Sequence, residues 1–489
     1  MQTASSTPKT SFLNLPSQWG LIVTVILGLG AYAGLAGLHL RYGTLRDGIT
    51  PDTLAWYALA FAAYVGAIVW TEMRSGVEMK LVWAAAIGCR LILLLTVPTL
   101  SDDVYRYVWD GHLANQGVSP YAYPVDSPAL DQFDIPPRAL VNNRWMASPY
   151  LPAAQLLFAG LMRLLPQQPL VFQVTMVIFD LLSGLIIARL LAITGLPGRR
   201  IVIYLWNPLV IVEVAHGAHV DAWMIFLTML TLWLIFSPQR GQMSTWLAPV
   251  TLAGATLTKI APLLLLPVLF RRWRWSQRLL YGVVTLALML PSAGRAGWGL
   301  TGPLDGTGLF GAIRIYADQW NFNSGLFHWL EVDLLQSAAV QNASVIEATD
   351  WAKRIVILVL LIVLATVWWQ ARPQIDNRTT LRLMAGPLMA YILLNTTIHP
   401  WYLLILLACL PFLTPAAEET PWRWFAVLPW LYLSGALSLS YLTYLDPLDF
   451  RELEWVRRTE WLPTLGLLGL WIILASFKRL KAQNLQRFD

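Results

Sequence analysis

Apolar runs of membrane length recur along this chain, near residues 17–38, 54–72, 81–100, 168–193, 200–214, 219–237, 279–291, 353–371, 382–397, 423–445 and 460–477. Inside lipid a backbone of that length satisfies its own amides only as a helix or a closed barrel, and continuous apolar runs rather than alternating ones select the helix. The expected fold is therefore all-α, a polytopic integral membrane protein. Composition agrees, since 57% of the 489 residues are hydrophobic and only 13% are charged, outside the range of soluble domains. The net charge of +6 does not point to nucleic acid, because the basic residues gather in short loops between apolar runs and act as topology signals. Cys89 and Cys409 both lie within apolar runs, which offers neither a disulfide framework nor a zinc site.

Basic clusters orient the chain. Arg74 with Lys80, Arg199 with Arg200, the Arg271 to Arg278 cluster, Arg372 to Arg382, and Lys478, Arg479 and Lys481 are expected on the cytoplasmic side. Both termini then fall inside, as a tail over 1–16 and a basic tail over 478–489, flanking a single transmembrane domain over 17–477. Two long loops, near 101–167 and 292–352, fall outside. Arg240 and the Arg271 cluster are both expected inside, and one span cannot join two inside loops. The stretch 244–270 should therefore break near Lys259 and Pro262, which lipid tolerates only where the break lines a cavity or packs in protein. Counting that break gives about fourteen transmembrane segments. The apolar stretch 153–165, which begins and ends outside, reads as an interfacial helix in the first long loop.

The most informative polar segment is Ser101-Asp-Asp-Val-Tyr-Arg-Tyr-Val-Trp-Asp-Gly-His112. As a helix it places Asp103, Tyr107 and Asp110 on one face and Asp102, Arg106 and Trp109 on the neighbouring one. Ionisable groups at a bilayer edge are expensive, which favours a working site over a solvated polar cap. All six histidines, among them His39, His216, His219 and His399, fall at or beyond outer span ends, as do Glu213, Asp221, Asn321, Asn323 and Lys259. Such clustering suggests an exoplasmic site. His216, His219 and Asp221 would bind a sugar or phosphate, ligate a divalent cation, or form a polar turn with no role, with Gly217 permitting the reversal. Lys259 needs an anion, either a lipid-linked phosphate or a structural carboxylate such as Asp180. Arg314 is the cation of the second long loop with the most polar neighbours. His399 and Tyr402 suit substrate contact or anchoring at the interface.

The segment from Ser101 to Gly111 with Gly117-Val-Ser-Pro-Tyr121, then Asn207-Pro208 with Gly217-Ala-His-Val-Asp221, Thr258-Lys259 with Pro262, and His399-Pro-Trp-Tyr402 resembles the GT-C type of polytopic glycosyltransferases. The series is most similar to bacterial polyprenyl-phosphate-mannose-dependent mannosyltransferases, and runs in order over roughly residues 100–402. The resemblance implies an outer-face active site in the cell membrane, facing the periplasm or exterior. There a sugar, mannose by this likeness, passes with inversion from a polyprenyl-phosphate donor to a hydroxyl of a glycan, lipid or protein. It implies Asp103 as general base with Asp102 in reserve, and Arg106, Lys259 and Arg314 on the donor phosphate. Tyr107, Asp110, His216, His219, Asp221, His399 and Tyr402 would contact substrate. Many such enzymes carry an Asp-X-Asp or Glu-X-Asp pair on the first outer loop, whereas Asp102 and Asp103 are adjacent and follow about the third span. That adjacency leaves the choice of base open, and a divalent cation as an option. No cofactor is implied with certainty. A flippase or transporter of lipid-linked sugar, without bond chemistry, is the alternative reading of a broken helix with buried charge, and a lipid-binding scaffold is a third.

Overall fold

The computed structural model describes residues 18–42, 48–74, 76–238, 241–332, 345–416, 419–445 and 451–485, and for 345–348 and 479–485 the backbone alone. The tail 1–16, Arg240, the 333–344 part of the second long loop and the side chains of Arg479 and Lys481 lie outside the described residues. Among the described residues the chain is helical, without a β-strand.

Helices α1 (Trp19–Tyr42) and α2 (Thr50–Met73) pack along each other, and α3 (Met79–Leu93) lies against α1. Next come α4 (Asp103–Asn115) and α5 (Pro152–Leu164), which pack closely because Gly111 has no side chain: a Cβ there would stand 2.5 Å from the Phe158 carbonyl oxygen. Helix α6 (Pro169–Ile193) lies beside α7 (Asp221–Phe236), which in turn carries α8 (Gln242–Thr256) on its flank.

Seven helices among the described residues are long and apolar enough to cross a membrane, and an eighth arises if the pair Pro208–His216 and Asp221–Phe236, bent by 119°, counts as one span. The chain is a multi-pass membrane protein. Helix Trp275–Ala296 displays why: Leu279, Val283, Leu286 and Leu290 are all more than half exposed, and their spacing puts them on one face, the face such a helix turns to lipid. The sequence-based count of about fourteen segments includes runs that form helices of only 15 residues, such as α3 and α8, shorter than the bilayer core requires of an untilted helix.

The stretch 244–270 does break where its charge and proline place the interruption. Helix α8 ends at Thr256, Lys259 sits in the irregular turn, and Pro262 opens a 3-10 turn over Ala261–Leu265 before helix Leu266–Arg272. Arg90 and Asp180, both wholly buried, answer each other at 2.5 Å between α3 and α6. Asp180 is therefore not the partner of Lys259.

Candidate active site

Helix α4 begins under Ser101, whose Oγ accepts the Asp103 amide N–H at 3.2 Å. Asp103 thus occupies the first turn, where the helix dipole favours an anion. Its Oδ1 accepts from Asn142 Nδ2 at 3.1 Å and its Oδ2 from the Tyr150 hydroxyl at 3.0 Å. His219 Nδ1 stands 3.8 Å from Oδ2. Burial alone would raise the pKa of this carboxyl, but the neighbouring His219 and Lys259 and the bonds from Asn142 and Tyr150 outweigh it and hold Asp103 below its ordinary value. Asp102, the residue before the helix, is exposed.

The face shared by Asp103, Tyr107 and Asp110 exists, but most of its occupants come from the chain itself. Tyr107 stacks on Phe158 at 4.6 Å and meets Tyr150 edge-on at 5.0 Å. Asp110 is buried and its Oδ2 accepts from Ser148 Oγ at 2.5 Å and Gln155 Nε2 at 2.9 Å. Burial pushes its pKa up to about 6, against the Arg106 charge and those two bonds. Arg106, also buried, donates to the carbonyl oxygens of Asn142, Asn143 and Met146 at 2.8, 2.9 and 3.1 Å. Its guanidinium is spent on folding the first long loop over α4, a use that a sequence of residue types does not display. Arg314 is likewise directed to the carbonyl oxygens of Gly302 and Pro303, each at 2.7 Å.

The second wall is the bend before α7. A π-helical turn over Val212–His216 shifts the register of the chain, a feature common at functional sites. The left-handed residue that reverses it is Ala218, with φ of 56°, while Gly217 has φ of −74°. Gly217 is required for a different reason: a Cβ there would lie 2.8 Å from both the Glu213 carbonyl oxygen and His219 Cδ2. The turn sends its two histidines apart. His216 faces away from Asp103, its Nδ1 2.6 Å from Thr96 Oγ1 and its Nε2 2.9 Å from Thr99 Oγ1, beside His39. His219 faces Asp103 on one side and Glu213, at 3.1 Å, on the other.

Lys259, projecting from the broken helix, places Nζ 2.5 Å from Asp221 Oδ2 and 5.6 Å from the centre of the Tyr402 ring. Asp221 begins α7, so the helix dipole also supports its charge. An aromatic stack links the two walls: Phe322 on His399 at 4.8 Å, His399 on Trp401 at 4.6 Å, and Trp401 on His219 at 4.0 Å. The second long loop is pinned there by backbone bonds between Phe322 and the 396–398 segment. Burial, followed by the opposing pulls of Asp103 and the nearby cations, lowers the His399 pKa to about 4, so this ring is neutral.

Asp103, Tyr107, His219, Asp221, Lys259, His399 and Tyr402 therefore converge, whereas Arg106, Asp110, His216 and Arg314 are turned to other partners. Asn142, Tyr150 and Tyr441 join the site without having been singled out from the sequence. The signal for Asn142 and Tyr150 was the polar, tyrosine-containing character of the first long loop, whereas Tyr441 lies in the apolar run 423–445 and carried none. Among the described residues no group of three or more His, Cys, Asp or Glu side chains is placed to hold a metal ion. What remains is a carboxylate held below its ordinary pKa and a partly exposed ammonium group at the two ends of one aromatic cluster, chemistry suited to a hydroxyl nucleophile and an anionic leaving group.

Similarity to known proteins agrees with that chemistry. The chain is 26% identical over 395 residues, 75% of its own length and 70% of the relative's, to alpha-(1->6)-mannopyranosyltransferase A of Mycobacterium tuberculosis. No solved structure matches it. Residues 21–275, more than half of the sequence, match the family described as alpha-(1->6)-mannopyranosyltransferase, N-terminal domain, and the chain belongs to this MptA_B family.

Proposed function

We propose that this protein is a membrane mannosyltransferase that takes mannose from a polyprenyl-phosphate donor and attaches it to a glycan hydroxyl on the exoplasmic side. The single observation that carries this reading is that Asp103 and Lys259 border the same aromatic cluster: His219, 3.8 Å from Asp103, stacks on Trp401, which neighbours Tyr402, and the Lys259 ammonium lies over the Tyr402 ring. Asp103 Oδ2 takes the proton of the acceptor hydroxyl as its oxygen bonds to the anomeric carbon. The bond from that carbon to the phosphate oxygen breaks, and the electron pair leaves with the phosphate. Lys259 offsets the charge that develops there. A single displacement inverts the anomeric centre, so an α product, as the family description implies, requires a β-configured donor. Asp221, His399 and Tyr402 line the sugar, with aromatic faces against its C–H surface. Both termini lie on the cytoplasmic side in this reading, following the basic loops.

The test is purified protein in detergent or vesicles with β-linked polyprenyl-phosphate mannose and a mannose oligosaccharide. The expected result is an acceptor lengthened by one α-linked mannose, with a soluble nucleotide-linked mannose inactive as donor. A transporter, which also uses broken helices such as the one at Lys259, would move labelled lipid across the vesicle without forming a glycosidic bond, and that outcome would overturn the proposal.

A further inference from the structure

Behind Asp103 lies a second carboxylate that the proposed transfer leaves without a task. Glu213 is wholly buried in the π-helical turn. Its Oε1 accepts from the Tyr441 hydroxyl, and its Oε2 stands 3.1 Å from His219 Nε2. The other ring nitrogen of His219 faces Asp103 Oδ2 at 3.8 Å, an ion-pair distance too long for a hydrogen bond. One imidazole thus lies between two carboxylates. Burying a carboxylate without a counter-charge costs several kcal/mol, and among the described residues His219 is the group within ion-pair distance of Glu213 that is able to carry positive charge. The Trp401 indole lies over the His219 ring at 4.0 Å and 20°, a contact that favours the cationic ring. Both His219 nitrogens and Glu213 Oε2 are buried without an aligned hydrogen-bond partner. Unsatisfied groups of this kind in a catalytic pocket are those that tighten when substrate arrives.

We propose that Glu213 and His219 form a positioning pair for Asp103, in which Glu213 holds His219 as an imidazolium whose Nδ1–H keeps the Asp103 carboxylate ionised and aimed at the acceptor hydroxyl. The proposal rests on the reading of Asp103 as the base. Glu213 acts only through the ring, and neither member of the pair touches substrate in this role. The other charged or titratable groups facing the trio are Lys259 and Asp221 from the opposite wall, His399 from the aromatic stack and His216 from the far side of the turn. Tyrosines complete the surroundings, Tyr107 and Tyr150 beside Asp103, with Tyr316 and Tyr402 within reach of its charge, and Tyr57 and Tyr441 beside Glu213.

The experiment is the pH dependence of turnover in Glu213→Gln, His219→Gln and the double variant, with Asp103→Asn as reference. Loss of the imidazolium charge beside Asp103 makes that carboxylate harder to ionise, so the acidic limb is expected to move up by about 1 pH unit. Turnover falls while the KM for acceptor stays within about twofold, and Glu213→Asp regains part of the lost limb. The double variant is expected to shift no further than His219→Gln alone, because Glu213 has no route to Asp103 except the ring. A limb left in place in both single variants, or shifts that add, would overturn the inference while Asp103→Asn stays inactive. Should Glu213→Gln fail to fold, His219→Gln decides alone, since a merely structural ring would lower the yield of protein without moving the limb. An active Asp103→Asn would instead remove the assignment of the base, a separate and recognisable failure.

Discussion

Lys259 Nζ and Asp221 Oδ2 lie 2.5 Å apart, joining the broken helix to the first turn of α7. The pair resolves the choice of carboxylate for Lys259, and it does so without burying the ammonium: the Lys259 side chain remains about one-fifth exposed while Asp221 is almost wholly buried. Removing the lysine alone leaves a buried carboxylate uncompensated. Lys259→Met is expected to lose roughly 2–3 kcal/mol of stability, less than a fully buried pair would because the lysine is partly wet. Adding Asp221→Asn should restore most of the thermal stability, yet turnover should stay about 100-fold or more below wild type, for want of a cation at the leaving phosphate. Melting curves and initial rates on the two single variants and the double variant check this. Recovery of turnover with stability would make the pair purely structural.

The bond from Tyr150 to Asp103 stabilises the ionised carboxylate. Wild-type turnover is accordingly expected to persist to acidic pH, with its acidic limb below the ordinary carboxylate range. Tyr150→Phe removes one bond to the charged form, raises the pKa and should move that limb up by about 1 pH unit. A pH–rate profile reads the shift, and an unmoved limb would dissociate Asp103 from it.

Asp110 carries the opposite sign. Its folded pKa of about 6 lies above the unfolded value of about 3.9, so the fold favours its protonated form. That contribution is complete below the unfolded value and is lost as pH rises through about 6. Asp110→Asn keeps a neutral side chain bonded to Ser148 and Gln155 at every pH. The melting temperature of the variant should therefore gain on wild type as pH goes from 4 to 7, with turnover at neutral pH changed only a few-fold. A large loss of turnover in a well-folded Asp110→Asn protein would place this residue on the substrate after all.

At the bend, Gly217→Ala forces a methyl group against the Glu213 carbonyl and the His219 ring, at a cost of about 1–3 kcal/mol, and should lower turnover by displacing His219. Ala218→Gly relieves a left-handed alanine at some entropic cost, so stability should rise by no more than about 1 kcal/mol. Thermal unfolding of the two neighbours distinguishes a glycine needed for space from one needed for its dihedral angle.

These neighbours also show where the sequence runs out. The break at Lys259 was legible because charge and proline interrupt an apolar run. The segment from Ser101 to His112 stood out because carboxylates directly after a long apolar run are unusual and costly. The partners of those groups were not. Arg106 and Arg314 bond to backbone carbonyls, whose directions depend on how a long loop closes, and residue types carry no record of that. His216 and His219 are three positions apart, yet the π turn directs one toward Thr96 and the other toward Asp103. Tyr441 reaches Glu213 across more than two hundred residues, a distance that only the packed helices close.

The most direct measurement compares Asp103→Asn with Asp102→Asn in the transfer of mannose from polyprenyl-phosphate mannose to an oligosaccharide acceptor. The substitution at Asp103 keeps the shape that Asn142 and Tyr150 embrace and removes the proton acceptor. Turnover is expected to fall about 100- to 10,000-fold in Asp103→Asn, with folding intact, and to stay within a few-fold of wild type in Asp102→Asn. Near-normal transfer by Asp103→Asn, or the loss falling on Asp102→Asn instead, would contradict the account.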